Sequence, residues 1–203
     1  LDYLADDEAI AMDQALGRAR GYVSMTAAST ALASIPDEGV MGDIPGENAA
    51  DIQSVRDARN FLILLNPGNF ESREDYLAAL AATPYDALVI DLYYGDTPLT
   101  SDDVARLQQK PQGGRRLVLA YMSVGEAADY RPYWQAAWND SAHRPKWIAK
   151  PNHDWPGSYR VRYWTGDWRH ILYGSEDAYL DTILASGFDG AFLDVMDAWQ
   201  TFK

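Results

Sequence analysis

Three apolar runs of this sequence end in a carboxylate. "ALVID" closes on Asp91, "YMSVGE" on Glu126 and "GAFLD" on Asp194, with Asp197 three residues further on. Desolvating a carboxylate is expensive unless it is paired or hydrogen-bonded, so a repeated acid at the end of an apolar strand asks for a reason. If the strands run parallel, their C-terminal ends share one face, and acids scattered over a hundred positions meet in one pocket. Crowding there raises one carboxyl pKa while its neighbour stays ionised, the arrangement that general acid/base chemistry requires. A single acid after a strand is more often a helix cap or a partner for a loop backbone, but three at equivalent places favour chemistry. Asp197 taken alone fits ligand contact or capping of the next turn.

Around these acids stand groups able to position a substrate. Period-two alternation puts Tyr121 and Ser123 on one face of their strand, and Gly125 permits a sharp turn that sets Glu126 on the rim. Arg131, five residues later, is placed to hold a loop acid or Glu126, or else lies on the surface. Tyr93 follows Asp91 at the same rim and joins the substrate-binding candidates. Trp134, Trp138, Trp155, Trp164 and Trp168 offer planes for stacking or packing, with Trp164 first because it ends an expected strand. His143, His153 and His170 have no paired spacing, so no histidine metal site is expected. An all-oxygen site of Asp91, Asp194 and Asp197 for calcium or magnesium is the alternative. Ser123 lacks the GxSxG elbow of an acyl-transfer nucleophile. No metal and no cofactor are expected.

The elements that must carry these groups alternate from residue 60 onward. "NFLILLN" (60–66), "YDALVIDLYYG" (85–95) and "RRLVLAYMSVGE" (115–126) read as strands buried on both faces. Between them, Ser72 with Asp75 and Thr100 with Asp103 mark helix starts of the capping-box type. "YRPYWQAAWND" reads as a short helix, "HRPKWIAKPNHDWPGS" as loop and "YRVRYW" (159–164) as a strand. The helix "SEDAYLDTILAS" stops at Gly187 and feeds the strand ending in Asp194. Upstream, "LDY" and "YVSMTA" read as short strands around the helix "DDEAIAMDQALGRAR", with a long Pro- and Gly-containing excursion after them. The count is about seven strands in one domain, 1–203. That predicts an α/β fold, a TIM (β/α)8-type barrel with one strand missing or upstream of Leu1. A doubly wound open sheet is the second choice, weakened because "NPGNF" is no glycine-rich phosphate turn.

Charge and composition narrow the partners. A net charge of −13 over 203 residues repels phosphate backbones, which argues against nucleic acid and for a neutral or cationic ligand. No apolar run reaches the length of a membrane span, and no signal peptide is visible at Leu1. With no cysteine, the redox compartment stays open. All seven tryptophans lie from Trp134 to Trp199, a concentration of aromatic surface that suits a bulky core or a sugar-binding wall.

Three motifs together, "RRLVLAYMSVGEAADYRPYW", "WPGSYRVRYWTGDW" and "GFDGAFLDVMDAW", resemble glycoside hydrolase family 114, the endo-α-1,4-polygalactosaminidase-like barrels. The resemblance spans roughly residues 60–203. It implies an exported barrel enzyme, secreted or at the periplasm or cell surface, that cleaves α-1,4-linked galactosamine-containing polysaccharide. It maps the family's strand-end aspartate onto Asp194 as a catalytic residue, and matches Glu126 and Asp91 to acids lining the pocket. The family's second acid is a glutamate on a later strand that this sequence does not contain. The first units resemble the closing units of the usual barrel, as in a circular permutation, with the glutamate strand expected just before Leu1. Glu126 is the other candidate for the catalytic partner of Asp194. The implied partner is a polysaccharide or oligosaccharide, including a cationic amino sugar, which an acidic cleft would concentrate. The competing reading is a non-catalytic carbohydrate-binding barrel.

Overall fold

The computed structural model describes residues 2–3, 7–27, 29–36 and 44–203. Leu1, residues 4–6 at the head of the expected first helix and residues 37–43 of the Pro/Gly excursion lie outside them. β1 (Asp2–Tyr3), α1 (Asp7–Ala19) and β2 (Thr26–Ala27) form the first unit, in which β1 and β2 pair in parallel. Thr26 Oγ1 donates to Asp13 at 2.8 Å and ties α1 to β2.

β3 (Phe61–Leu64) then leads through α2 (Arg73–Ala81) to β4 (Ala87–Ile90). A small antiparallel pair, β5 (Tyr93–Tyr94) with β6 (Thr97–Pro98), precedes α3 (Ser101–Leu107) and β7 (Leu117–Ser123). After β8 (Glu126–Ala128) come β9 (Ile148–Pro151), β10 (Ser158–Val161), α4 (Gly166–Tyr173), α5 (Tyr179–Ala185) and β11 (Gly190–Asp194).

The helix starts form where capping chemistry directs them. Ser72 accepts from the backbone N–H of Asp75, and Thr100 and Asp103 complete a reciprocal capping box, satisfying donors that a helix N-terminus leaves orphaned. Arg73 pairs with Asp103, linking α2 to α3. Gly187 takes φ +82 just after α5, a left-handed conformation that lets the chain turn into β11.

Four strands make the central sheet in the order β11-β7-β4-β3, every neighbouring pair parallel. β4 lies between two strands and is buried throughout, which explains its unbroken apolar sequence. On β7, Val118, Ala120 and Met122 are buried, while Leu119, Tyr121 and Ser123 take the other face, as the period-two alternation predicts. Leu62, Leu88, Ile90, Val118 and Trp168 are fully buried in one continuous core. At the N-terminal end of the sheet, Asp86 receives Lys110 Nζ at 2.9 Å, and both side chains are fully buried.

A mixed α/β fold with a parallel sheet is thus present, but the described strands do not close into a barrel. β1 and β2 form a separate pair, and β11 is a sheet edge among the described residues. The run "YRVRYW" differs from its expected place as well. Its strand, β10, lies antiparallel between β8 and β9 in a second sheet, because the chain doubles back after Glu126 instead of crossing over through a helix. β9 and α4 are two elements the sequence reading does not separate from loop; the Pro- and Trp-rich run around β9 masks its alternation.

Candidate active site

The C-terminal ends of β4, β7 and β11 open onto a cleft of about 430 Å³, within the size range of small-molecule sites. Asp91, Tyr121, Glu126, Arg131 and Asp194 all line it. The parallel register explains the meeting. Asp194 pairs with Ser123 at the end of the β11–β7 ladder, and the N–H of Val124 donates to the carbonyl of Asp194 at 2.9 Å.

Gly125 draws the two ends still closer. A Cβ there would stand 2.1 Å from the carbonyl oxygen of Val195 and 2.4 Å from Ala198 Cβ, so only glycine lets the β7–β8 turn pack against the turn after β11. Val195 itself is held at φ +57, a conformation a β-branched residue seldom adopts. In that turn its N–H donates to Asp194 Oδ1 at 2.8 Å. Tyr121 Oη donates to Asp194 Oδ2, also at 2.8 Å. The Asp194 carboxylate is exposed, and among the described residues no cation lies within ion-pair distance of it. Burial first, then the charge of Asp194 and the bond to it, push the Tyr121 phenol well above its ordinary range, so it remains a donor.

Glu126 is buried at the start of β8 and is held by two donors. Asn152 Nδ2 lies 2.7 Å from Oε1, and Arg160, its partner across the β8–β10 ladder, reaches the same oxygen at 3.0 Å. Asp91 is engaged differently. Arg131 grips both of its oxygens, with Nη1 to Oδ1 at 2.8 Å, and the N–H of Tyr93 donates to Oδ1 at 2.8 Å. The guanidinium lies over the rings of Tyr93, Tyr130 and Tyr179, 5.2 to 5.8 Å from their centroids. Burial would lower the Arg131 pKa, but the bonds and charge of Asp91 outweigh it and hold the group well above its usual value. Of the sequence alternatives for Arg131, the structure selects a loop acid, Asp91, the first residue past β4, over Glu126 and the open surface. The all-oxygen cation site would need Asp91, which is committed to Arg131; among the described residues no group of three acidic or histidine side chains is placed to hold a metal.

Four candidates fall outside the cleft. Ser123 lines a smaller adjoining cavity of about 60 Å³, where its hydroxyl is buried without a partner among the described residues. Tyr93 packs beside Arg131 and Tyr179. Trp164 meets Tyr163 and Phe202 edge to face and leaves the cleft wall to Trp155. Asp197 is exposed at the start of a 3-10 turn (Ala198–Phe202) and makes no side-chain cap. The sequence reading misses Asn152 and Arg160, whose approach to Glu126 depends on the antiparallel sheet.

The sequence model of glycoside-hydrolase family GH114 matches residues 47–203. The chain belongs to that family. Among curated relatives of this GH114 chain, an uncharacterized protein of Deinococcus radiodurans is 38% identical over 125 residues, covering 61% of this chain and 37% of the relative. An uncharacterized protein of Methanocaldococcus jannaschii is 33% identical over 121 residues, covering 60% and 33%. The chain therefore spans about a third of the length of the curated relatives it matches. Among solved structures, the GH114 chain is similar to Aspergillus fumigatus Ega3 in complex with galactosamine, with 21% identity and a TM-score of 0.48 over 76% of this chain and 51% of that one. It is also similar to the glycoside hydrolase domain of PelA from Pseudomonas aeruginosa, with 23% identity and a TM-score of 0.43 over 77% and 47%. Among the described residues, no helix is long and apolar enough to cross a membrane.

Proposed function

We propose that this GH114 chain carries the acidic cleft of an exported glycosidase that cleaves α-1,4-linked galactosamine-containing polysaccharide. The observation that carries the reading is the convergence of Asp91, Glu126 and Asp194 on one cleft from three different strand ends. Glycoside hydrolysis uses two carboxyl groups, one to protonate the leaving oxygen and one to act as base or nucleophile. Arg131 occupies both oxygens of Asp91, whereas Asn152 and Arg160 meet Glu126 through Oε1 alone and Asp194 meets no guanidinium of the described residues, so Glu126 and Asp194 are the pair assigned to this chain.

Asp194 is the acid beside the scissile bond. Its two oxygens are aimed by Tyr121 and by the N–H of Val195, and a cationic amino sugar meets an acid that no guanidinium of the described residues neutralises. Glu126, fixed by Asn152 and Arg160, is the partner. Trp155, about half exposed at 45% on the cleft wall, offers a plane for the sugar face.

The test is hydrolysis of an α-1,4-linked polygalactosamine by the full-length protein, read as reducing ends released. Asp194→Asn should abolish turnover, and Glu126→Gln should lower it by roughly a hundredfold or more, the order of a lost acid/base group. Parental turnover in Asp194→Asn refutes the assignment of Asp194. Loss in Asp194→Asn with full activity in Glu126→Gln places the second acid elsewhere in the protein. Binding without any turnover by the unsubstituted protein would mark a carbohydrate-binding domain instead.

A further inference from the structure

Arg160 borders two concavities. On one side it meets Glu126 in the cleft; on the other it walls a separate groove of about 530 Å³, together with Lys150 of β9, Arg162, Phe202 and Lys203. The lining includes Lys150, Arg160, Arg162 and Lys203 and no acidic side chain. In a chain of 30 acidic and 17 basic residues, such a groove does not follow from composition.

Strand alternation builds it. Arg160 and Arg162 are two residues apart and project to one side, while Val161 turns into the core and Tyr159 stacks on Trp134 with ring centroids 4.9 Å apart. The cations are also steadied. The Arg162 guanidinium lies 5.0 Å from the centroid of Phe202 and donates to the carbonyl of Lys146, and Lys203 Nζ sits 4.1 Å from the centroid of Trp199. A guanidinium steadied over an aromatic ring offers its remaining N–H groups to an anion with little ordering left to do. Arg160 already serves Glu126, so the excess positive charge rests on Lys150 and Arg162.

We propose that this groove binds an anionic group carried on a glycan, a carboxylate, phosphate or sulfate attached to a sugar ring, at a subsite joined to the cleft through Arg160. The preference for an anion stands on the groove alone; the sugar that carries it rests on the glycosidase reading. A polysaccharide crossing both concavities then meets opposite charge preferences at two points along its length.

Calorimetric titration of the full-length Asp194→Asn protein separates the two readings, because binding is then measured without turnover. Hexameric oligogalacturonate, neutral maltohexaose and sodium sulfate are the probes. The oligogalacturonate should saturate, maltohexaose should not displace it, and sulfate should compete only weakly. Adding Lys150→Gln and Arg162→Gln should weaken oligogalacturonate binding by about tenfold or more, since each removes a charge-assisted contact. Lys150→Glu, at an exposed side chain, gives the same loss should the Arg162 substitution unfold the protein. Oligogalacturonate that fails to bind, or binds equally to the substituted groove, overturns the proposal. So does sulfate binding as tightly as the oligomer, since such a site recognises no sugar.

Discussion

The Tyr121 hydroxyl and the Asp194 carboxylate meet at 2.8 Å across neighbouring parallel strands, the one inside the sheet and the other, among the described residues, on its edge. Tyr121 is therefore predicted to act as a positioning residue: it donates to one Asp194 oxygen while the N–H of Val195 donates to the other. Tyr121→Phe should keep the fold and lower kcat by roughly tenfold or more, the worth of one hydrogen bond to a charged group. The split between kcat and KM checks it. A change in KM alone would show that the hydroxyl contacts substrate instead.

The Asp91–Arg131 pair is predicted to act through stability. Both side chains are nearly buried, so removing one partner leaves a charge without compensation, at a cost of about 3–5 kcal/mol. Arg131→Met should lower the denaturation midpoint strongly, and the double substitution Asp91→Asn with Arg131→Met should cost less than the two single changes added together. Additive losses in chemical denaturation would mean the two groups do not depend on each other.

Gly125 and Val195 test the close approach of the two strand ends. Gly125→Ala must push the Val195 turn away, which moves the Asp194 carboxylate and should abolish turnover even where the protein stays folded. Val195→Gly removes the left-handed strain and should stabilise by about 1 kcal/mol at most, because glycine also loses more freedom on folding. Melting curves for the pair give the comparison, and a destabilised Val195→Gly protein would rule out strain at that residue.

Buried phenols should govern alkaline stability. Tyr76, Tyr93, Tyr121, Tyr130, Tyr133 and Tyr179 are all raised above the ordinary tyrosine value, with burial as the largest cause in each. Unfolded phenols ionise near pH 10, whereas the folded ones still hold their protons, so above that pH the unfolded chain binds fewer protons. The contribution of these residues is complete below about pH 10 and is lost progressively as pH rises beyond it. Denaturant titrations from about pH 8 to 11, with phenolate absorbance recorded alongside, should show stability flat at first and then falling.

The parts of the site legible in the sequence are those written in local pattern. Asp91, Glu126 and Asp194 each end an apolar run, and the parallel ladders bring those ends together as period and strand direction predict. The cap at Ser72 and the box at Thr100 are readable because three-residue spacing is all they need. Arg160 and Asn152 are not, since their approach to Glu126 requires a chain reversal after β8 that a parallel reading does not supply. Trp164 does not end a strand as expected: β10 stops at Val161 and belongs to the antiparallel sheet, Trp164 falls in the turn after it, and Trp155 from a loop reaches the cleft instead. The choice of Asp91 for Arg131 depends on a tyrosine cage drawn from β5, the loop after β8 and α5.

β11 is both the strand that carries Asp194 and, among the described residues, the outer margin of the sheet, with Phe192 and Leu193 partly open to solvent and Met196 and Trp199 close behind them in sequence. Unpaired peptide groups beside greasy side chains invite other chains to dock, so a preparation of this chain alone should turn cloudy as it is concentrated. Leu193→Lys should clear the solution without entering the cleft.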